Sequence, residues 1–573
     1  MSIIDAIGNT PTVELKRIWD SDVTGVRMWA FLQGPPLLKQ PLQVLSVDEL
    51  TVNGRCMMPS YLMRYLVLVL LAIGVWLSCG INDSGKNPPP DKPVFDDTAL
   101  VIPVIGADPE PVIVLPRPVD GAVIQNGIDS LAKTGSGGTI RFSDASGELA
   151  VILSTPLRIP KTQHPVVING VSHVTLSGQK KTRIIECANY ARLIVRNITL
   201  ADGQTDSSGA AILHPWYGEL ACYNVTFSDN RCTVTGPEFG GGAVFAGGLT
   251  SALFYGCRFS GNRGSNGGAI LNRGTNLVID SSVFTDNVAT GDGGGRDAGA
   301  AGNGGLGGAV YIDGMNYDTA SPFHLSSSLF SANRSHCHGS AVFAYFYRNK
   351  PGTSAAYINN CGFYDNADSG KVTTSTGTLY QEGAPLRLTA CTFAGNTTLK
   401  HAGALFLGAD ATTEIVNCTF YRNTTPGNGG AIFGGKQRIT IWNCTFAENT
   451  ASYGPAIFND TPDAVSIWNT LFSGNIPITN IYAYRNCTAT YTQGNHVLQW
   501  PAEKANGKAD NTCISSAEFA DPLLDTLNDN GGTVLTMALG TGSPARDWCD
   551  SCPDTDARGF GRGKPCAAGA YEP

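Results

Sequence analysis

Apolar and polar residues alternate along most of this chain in short runs, and the alternation keeps breaking at the same place. In Ile439-Thr440-Ile441-Trp442-Asn443-Cys444-Thr445-Phe446, Ile439 and Ile441 alternate with polar neighbours, Trp442-Asn443 interrupts, and Cys444 and Phe446 alternate again. That pattern predicts two period-2 strands joined by a tight corner. The same frame fits Thr413 to Phe420, Val465 to Phe472 and Leu386 to Phe393. A small-residue strand of the Gly-Gly-Ala-Ile type precedes most copies, at Gly241-Gly242-Ala243-Val244, Gly267-Gly268-Ala269-Ile270, Gly307-Gly308-Ala309-Val310 and Gly429-Gly430-Ala431-Ile432. No sustained helical period is found between Ala99 and Ser516.

The corner carries a repeat. Phe-x-x-Asn begins at Phe227, Phe259, Phe284, Phe330, Phe363, Phe393, Phe420, Phe446 and Phe472, and the last four copies start 27, 26 and 26 residues apart. The alanine of the small-residue strand falls 15 or 16 residues before the next motif phenylalanine at Ala243, Ala269, Ala404, Ala431 and Ala456. Fixed internal spacing within a variable period is the mark of a solenoid with loops inserted at fixed corners. Three short strands in about 26 residues is the size of one coil of a right-handed parallel β-helix, and that all-β solenoid is the expected fold. The phenylalanines should stack inside the coil. Asn230, Asn262, Asn287, Asn333, Asn366, Asn396, Asn423, Asn449 and Asn475 should form a structural ladder at one corner, in left-handed geometry, with a second row at Asn360, Asn417, Asn443 and Asn469.

These repeats resemble those of the chlamydial polymorphic outer-membrane proteins from about Ala210 to Asn475. The resemblance implies a surface-exposed, often adhesive β-helix and brings no catalytic residues. The tail holds Asp521-Pro522-Leu523-Leu524, Asp529-Asn530-Gly531-Gly532, Gly542-Ser543-Pro544-Ala545, Asp556-Ala557-Arg558-Gly559 and Gly569-Ala570-Tyr571-Glu572. This series resembles the C-terminal module of bacterial surface proteins known as choice-of-anchor Q. The β-helix is therefore expected over 99–516 and that module over 517–573, with no C-terminal anchor after it.

Upstream, Tyr65 to Leu77 is apolar, follows Arg64 and leads into Ser78-Cys79-Gly80. It is too short to span a bilayer, which takes about 20 residues, and fits a secretion signal over 57–79. The residues before Cys79 resemble a lipoprotein cleavage site, although Trp76 and Leu77 depart from the usual pattern, and Cys79 would then carry the lipid. A plain secretion signal is the alternative. Pro88-Pro89-Pro90 makes 80–98 a stiff tether. Residues 1–56 read as an extension upstream of a start at Met57, Met58 or Met63. Their opening, Ile7-Gly8-Asn9-Thr10-Pro11 with Val13-Glu14-Leu15, resembles that of cysteine synthase for about 17 residues. No pyridoxal-phosphate lysine context follows, which rejects that activity. The expected location is the cell surface, through an N-terminal lipid in the outer membrane, or the extracellular space.

Composition narrows the partners. Net charge is −8, only 15% of residues are charged, and no basic run is present, so nucleic acid is not expected. Of 16 cysteines, Cys257, Cys361, Cys391, Cys418 and Cys444 precede motif phenylalanines by two residues and should form a ladder of small buried hydrophobes. Disulfides are better expected among Cys549, Cys552 and Cys566, between Cys222 and Cys232, and between Cys487 and Cys513.

No catalytic residues can be assigned. The polygalacturonase motif series is absent. His336-Cys337-His338-Gly339 could hold a metal but reads more simply as a solvent-facing loop. Asp292, Asp297 and Asp313 border the glycine-rich stretch Gly291 to Gly308, which resembles calcium-binding nonapeptides without their regular aspartates and reads as a flexible loop. No cofactor is expected, with calcium the one possible ion. For ligand contact the candidates are aromatic. Trp442 and Trp468, 26 residues apart, either expose stacked rings to sugars or seal a corner, and sealing is the simpler reading. Tyr345 and Tyr347 lie in an aromatic insertion, and Trp216 in the loop His214-Pro215-Trp216-Tyr217. The reading is a surface or secreted protein that binds a glycan or another surface component. The alternatives are a polysaccharide lyase or glycoside hydrolase on the same scaffold, and a structural envelope spacer.

Overall fold

A computed structural model describes residues 107–573 apart from 144–146, 172, 294–303, 315–321, 347–354, 369–375, 410, 479–482 and 505. Upstream it describes only two short antiparallel pairs, Leu15–Lys16 with Trp29–Ala30 and Thr51–Val52 with Arg55–Cys56. The signal, the tether and Cys79 lie outside the described residues.

The chain is a right-handed parallel β-helix. Among the described residues its strands form long parallel sheets of twenty-four, eleven and six strands. The eleven-stranded sheet contains the Gly-Gly-Ala strands and runs from Leu157–Ile159 to Ile457–Asn459. The largest sheet contains both strands of the Phe-x-x-Asn unit, which are separate in Ile439–Trp442 and Thr445–Ala447 and continuous in Glu219–Ser228. The two glycines of the motif do different work. Gly267 takes φ +56°, and a Cβ on Gly268 would come within 2.2 Å of the Gly308 carbonyl, so one turns the chain and the other lets coils approach.

All nine motif phenylalanines are in register and buried. Their rings stack in one column with centroids 4.4 to 5.3 Å apart. Beside them runs the asparagine column. Each Asn Nδ2 donates to the Oδ1 of the next asparagine at 2.9–3.0 Å. It also donates to a carbonyl one coil back, the motif phenylalanine's in most coils, at 2.9–3.0 Å. The Oδ1 accepts a second bond, from the preceding coil's Asn backbone N–H. Every donor and acceptor of a buried amide is thereby used.

Three expectations are corrected. The ladder asparagines are not left-handed: the residue before each one is, from Asp229 (φ +53°) to Glu448 (φ +55°), while the second row, Asn360, Asn417, Asn443 and Asn469, does take φ of +47° to +54°. The cysteine column is not simply apolar. Ser282, Ser328 and Thr470 share it, the Cys418 and Cys444 sulfurs accept backbone N–H groups, and the thiols donate to carbonyls. Cys222 and Cys232 are separately buried thiols, the latter donating to the Gly240 and Gly241 carbonyls, because they sit on different walls of the coil. Disulfides join Cys487 to Cys513 and Cys552 to Cys566.

A fourth correction is a helix, α1, Gly121–Thr134. Asp120 caps it by accepting the Val123 N–H, and Gly135 ends it at φ +69°. It buries Ile124, Gly127, Ile128 and Leu131 against strands Val112–Leu115, Gly138–Phe142 and Leu157–Ile159, closing the N-terminal end of the core. A solenoid end must be capped in this way or expose its interior.

The tail folds back along the largest sheet. Asn417, Asn443 and Asn469 donate to the carbonyls of Thr555, Ala567 and Ser551, and Thr392 Oγ1 donates to the Leu535 carbonyl. Three of the tail's motif residues, Asp556, Arg558 and Glu572, form buried ion pairs, with Arg562 supplying the fourth charge. Arg562 reaches Glu572 at 3.0 Å and Asn417 Oδ1 at 2.8 Å, and Arg558 pairs with Asp556 at 2.7 Å.

Asn423→Ala strips partners from buried groups on the coils to either side, Phe393 and Asn396 on one and Asn449 on the other, each costing ~1–3 kcal/mol, and a large drop in urea midpoint is expected; an unchanged midpoint would contradict the ladder's role. Arg562→Ala leaves Glu572 buried without its cation, at about 3–5 kcal/mol. Protease cleavage within 520–573 should accelerate, and unchanged resistance would contradict that pairing.

Candidate functional site

The corner after the eleven-stranded sheet uses a left-handed residue in successive coils. In two later coils that residue is Gly248 (φ +57°) and Gly274 (φ +56°), but in two earlier coils it is Tyr190 (φ +64°) and Tyr217 (φ +61°). A bulky residue there is strained, and such strain concentrates at functional sites. The corner is held by bonds between coils, from Tyr190 N to the Trp216 carbonyl and from Tyr217 N to the Gly248 carbonyl.

Both tyrosines point outward. Tyr190 is 49% exposed, Tyr217 61% and Trp216 41%. The two tyrosine rings stack with centroids 5.1 Å apart, and the Lys161 ammonium stands 4.7 Å from the Tyr190 ring centre. Trp216 leans on the next coil, where a Cβ at Gly248 would come within 2.3 Å of the indole. Glycine there makes room for the ring.

The aromatic corner adjoins a groove of about 590 Å³ between α1 and the first strands of the eleven-stranded sheet. Asp129, Lys133, Arg158, Pro160, Glu186 and Ala188 line it. Gln125 of α1 fixes its floor, donating to the Arg158 carbonyl at 3.1 Å and accepting the Arg158 N–H at 2.8 Å. Glu186 pairs with Arg183 at 3.5 Å. Lys133, Arg158 and Lys161 have no carboxylate within 4.0 Å among the described residues.

Beneath the corner, His214 is fully buried and donates from Nε2 to the Ala191 carbonyl at 3.1 Å. Burial pulls its imidazole down to about 4.

Of the residues singled out from sequence, Trp216 is at this corner. Trp442 and Trp468 do not form an exposed platform. Their rings stack at 5.5 Å, but they are 2% and 4% exposed, packed with Val416 beside asparagines that the tail engages. Tyr345 is half-buried against a cluster containing Phe343 and Tyr380, and Tyr347 lies outside the described residues. His338 is not in a solvent-facing loop: it is buried, with Nδ1 2.8 Å from Thr376 Oγ1, while His336 Nδ1 meets the Gly291 carbonyl. Asp297 lies outside the described residues. Among the described residues no group of three or more His, Cys, Asp or Glu could hold a metal. Tyr217 closes the aromatic loop singled out with Trp216, whereas Tyr190 was missed, because left-handed geometry is not legible at a tyrosine.

The model of the Chlamydia polymorphic membrane protein repeat matches residues 417–435. No curated protein matches. Among solved structures the chain is similar to the PL6 family alginate lyase AlyGC (14% identity, TM-score 0.45, 75% of this chain and 56% of that one). It is also similar to a PL6 alginate lyase complexed with a trisaccharide (13%, TM-score 0.37, 74% and 91%). A third is a mannuronic acid-specific family 6 lyase from human gut microbiota (12%, TM-score 0.35, 68% and 86%). The likeness is one of fold, and the chain spans little more than half the length of the first.

The unfolded chain protonates His214 near the ordinary value of about 6.5, whereas the folded chain resists until about 4. Between those values the unfolded state holds more protons, so stability is full above about 6.5 and falls by up to about 3 kcal/mol as pH drops. Melting temperature should fall more steeply from pH 6.5 to 4.5 in the wild type than in His214→Gln; parallel slopes would contradict this.

Proposed function

We propose that this chain is a cell-surface or secreted β-helix protein that binds a glycan through the corner formed by Tyr190, Trp216 and Tyr217. The observation that carries the reading is the pair of exposed, left-handed tyrosines on consecutive coils. Aromatic faces pack on the apolar faces of sugar rings, and a rigid ring loses little entropy on binding.

A surface location is supported by the match to a membrane protein repeat, by the apolar stretch Tyr65 to Leu77 and by Cys79 as the lipid-carrying residue. Among the described residues no helix is long and apolar enough to cross a membrane. In this reading the tail is a choice-of-anchor Q-like module that locks the later coils. The lyase or hydrolase alternative needs acids and bases free to act together. In the groove Glu186 is tied to Arg183, and Asp129 accepts from Gln125.

The test is affinity electrophoresis of the full chain through gels containing each of a panel of polysaccharides. Retardation by at least one polymer is expected. Tyr217→Ala and Trp216→Ala should each weaken it about three- to tenfold, from the ~0.5–1.5 kcal/mol of an aromatic contact. Retardation indifferent to both substitutions would defeat the corner as the site. New reducing ends in the same polymers would favour the enzyme.

A further inference from the structure

The groove carries a charge bias that the binding reading does not use. We propose that the ligand is an acidic polysaccharide whose carboxylate or sulfate groups are held by Lys133, Arg158 and Lys161 while its sugar rings pack on the more exposed end of the aromatic corner, Tyr217 and Trp216. The inference rests on the glycan-binding reading and adds the ligand's charge.

The geometry is continuous. Pro160 and Ala188 line the groove, and Lys161 and Tyr190 lie one and two residues beyond them in sequence. Lys161 stands over the Tyr190 ring, which stacks in turn with Tyr217 one coil on. Cation and aromatic platform therefore share one column along the solenoid. Arg158 projects from the outer face of the first strand of the sheet, and Lys133 from the last turn of α1 across the groove.

The local balance is cationic though the signs are mixed. The chain as a whole is −8, yet the groove and corner hold four cations, Lys133, Arg158, Lys161 and Arg183, against two carboxylates, Asp129 and Glu186. Glu186 stands beside Arg158 in the sheet but pairs with Arg183 at 3.5 Å, and Lys133, Arg158 and Lys161 have no carboxylate within 4.0 Å among the described residues. Cations left unpaired in a concave site of a negatively charged chain concentrate the field and draw anions to it. The groove's volume lies within the ~300–1,000 Å³ typical of ligand sites. The Gln125 clamp fixes strand to helix before any ligand arrives, so little ordering cost remains on binding.

Nucleic acid fits less well. A nucleic-acid site takes a broad basic patch or stripe, whereas this chain carries −8 overall and no basic run.

The experiment measures binding of the full chain to matched polymers: polygalacturonate against its carboxyl-reduced form, dextran sulfate against dextran, and poly(dT) as the nucleic-acid arm. At least one anionic polymer should bind ten times more tightly than its neutral partner and weaken as salt rises from 50 to 500 mM. The exposed double variant Arg158→Gln/Lys161→Gln should lose about tenfold on that anionic polymer and nothing on the neutral one. Tyr217→Ala should weaken both. Which pair shows the preference separates carboxylate from sulfate recognition. Neutral polymers bound as tightly as anionic ones, or an indifferent double variant, would overturn the acidic ligand while a Tyr217→Ala effect kept the glycan reading. Binding of no polysaccharide would overturn both, and poly(dT) bound above every polysaccharide would overturn them in favour of nucleic acid.

Discussion

The buried asparagine ladder is the constraint on which the rest of the solenoid depends. A buried primary amide must satisfy two N–H donors and an acceptor, and here each asparagine does so only if the neighbouring coils are in register. Slipping one coil by a residue would reverse its inward and outward faces and strand the amides above and below. The ladder thus converts a weak preference for stacked β-coils into a single register. The phenylalanine column follows, because each ring precedes its asparagine by three residues and is carried to a fixed height.

What the ladder leaves free is equally important. Consecutive ladder asparagines are separated by 46 residues between Asn287 and Asn333 and by 26 between Asn449 and Asn475, with the same 3.0 Å amide bond in both cases. Coil length can vary by twenty residues without disturbing the core, provided the additions leave at corners. The tail uses this economy in reverse: it meets the solenoid through the second asparagine row, whose left-handed backbone turns polar side chains outward at Asn417, Asn443 and Asn469.

Much of this was legible in the sequence because it is repeated. The strand pattern, the phenylalanine column and the asparagine column all follow from period and alternation. The helix was not, since one copy of Ile124, Ile128 and Leu131 is set among glycines and follows an Asp-Gly pair that reads as a turn. Trp442 and Trp468 illustrate a different limit. Period correctly makes them neighbours, but whether a stacked pair faces solvent depends on what covers that corner, and the residues beside it meet a tail some 80–120 positions later. The candidate site was least legible, as the loop that carries Trp216 and Tyr217 gave no hint of Tyr190 a coil earlier.

The position of that site has a physical logic. The Phe-x-x-Asn ladder begins at Asn230, and the groove and aromatic corner lie on the coils before it, between α1 and Gly248. Those coils are held by long continuous strands, Arg192–Ala201 against Glu219–Ser228, and by the helix cap. They keep the backbone of the repeat while giving up its residue rules: tyrosine stands where later coils have glycine, and histidine is buried where Val244's strand continues with alanine. In a repeat protein the later coils state what the scaffold requires at each position, so a departure that carries strain and exposes a ring is not explained by the scaffold. The coils that break the repeat while keeping its shape are where selection for something other than stability is written.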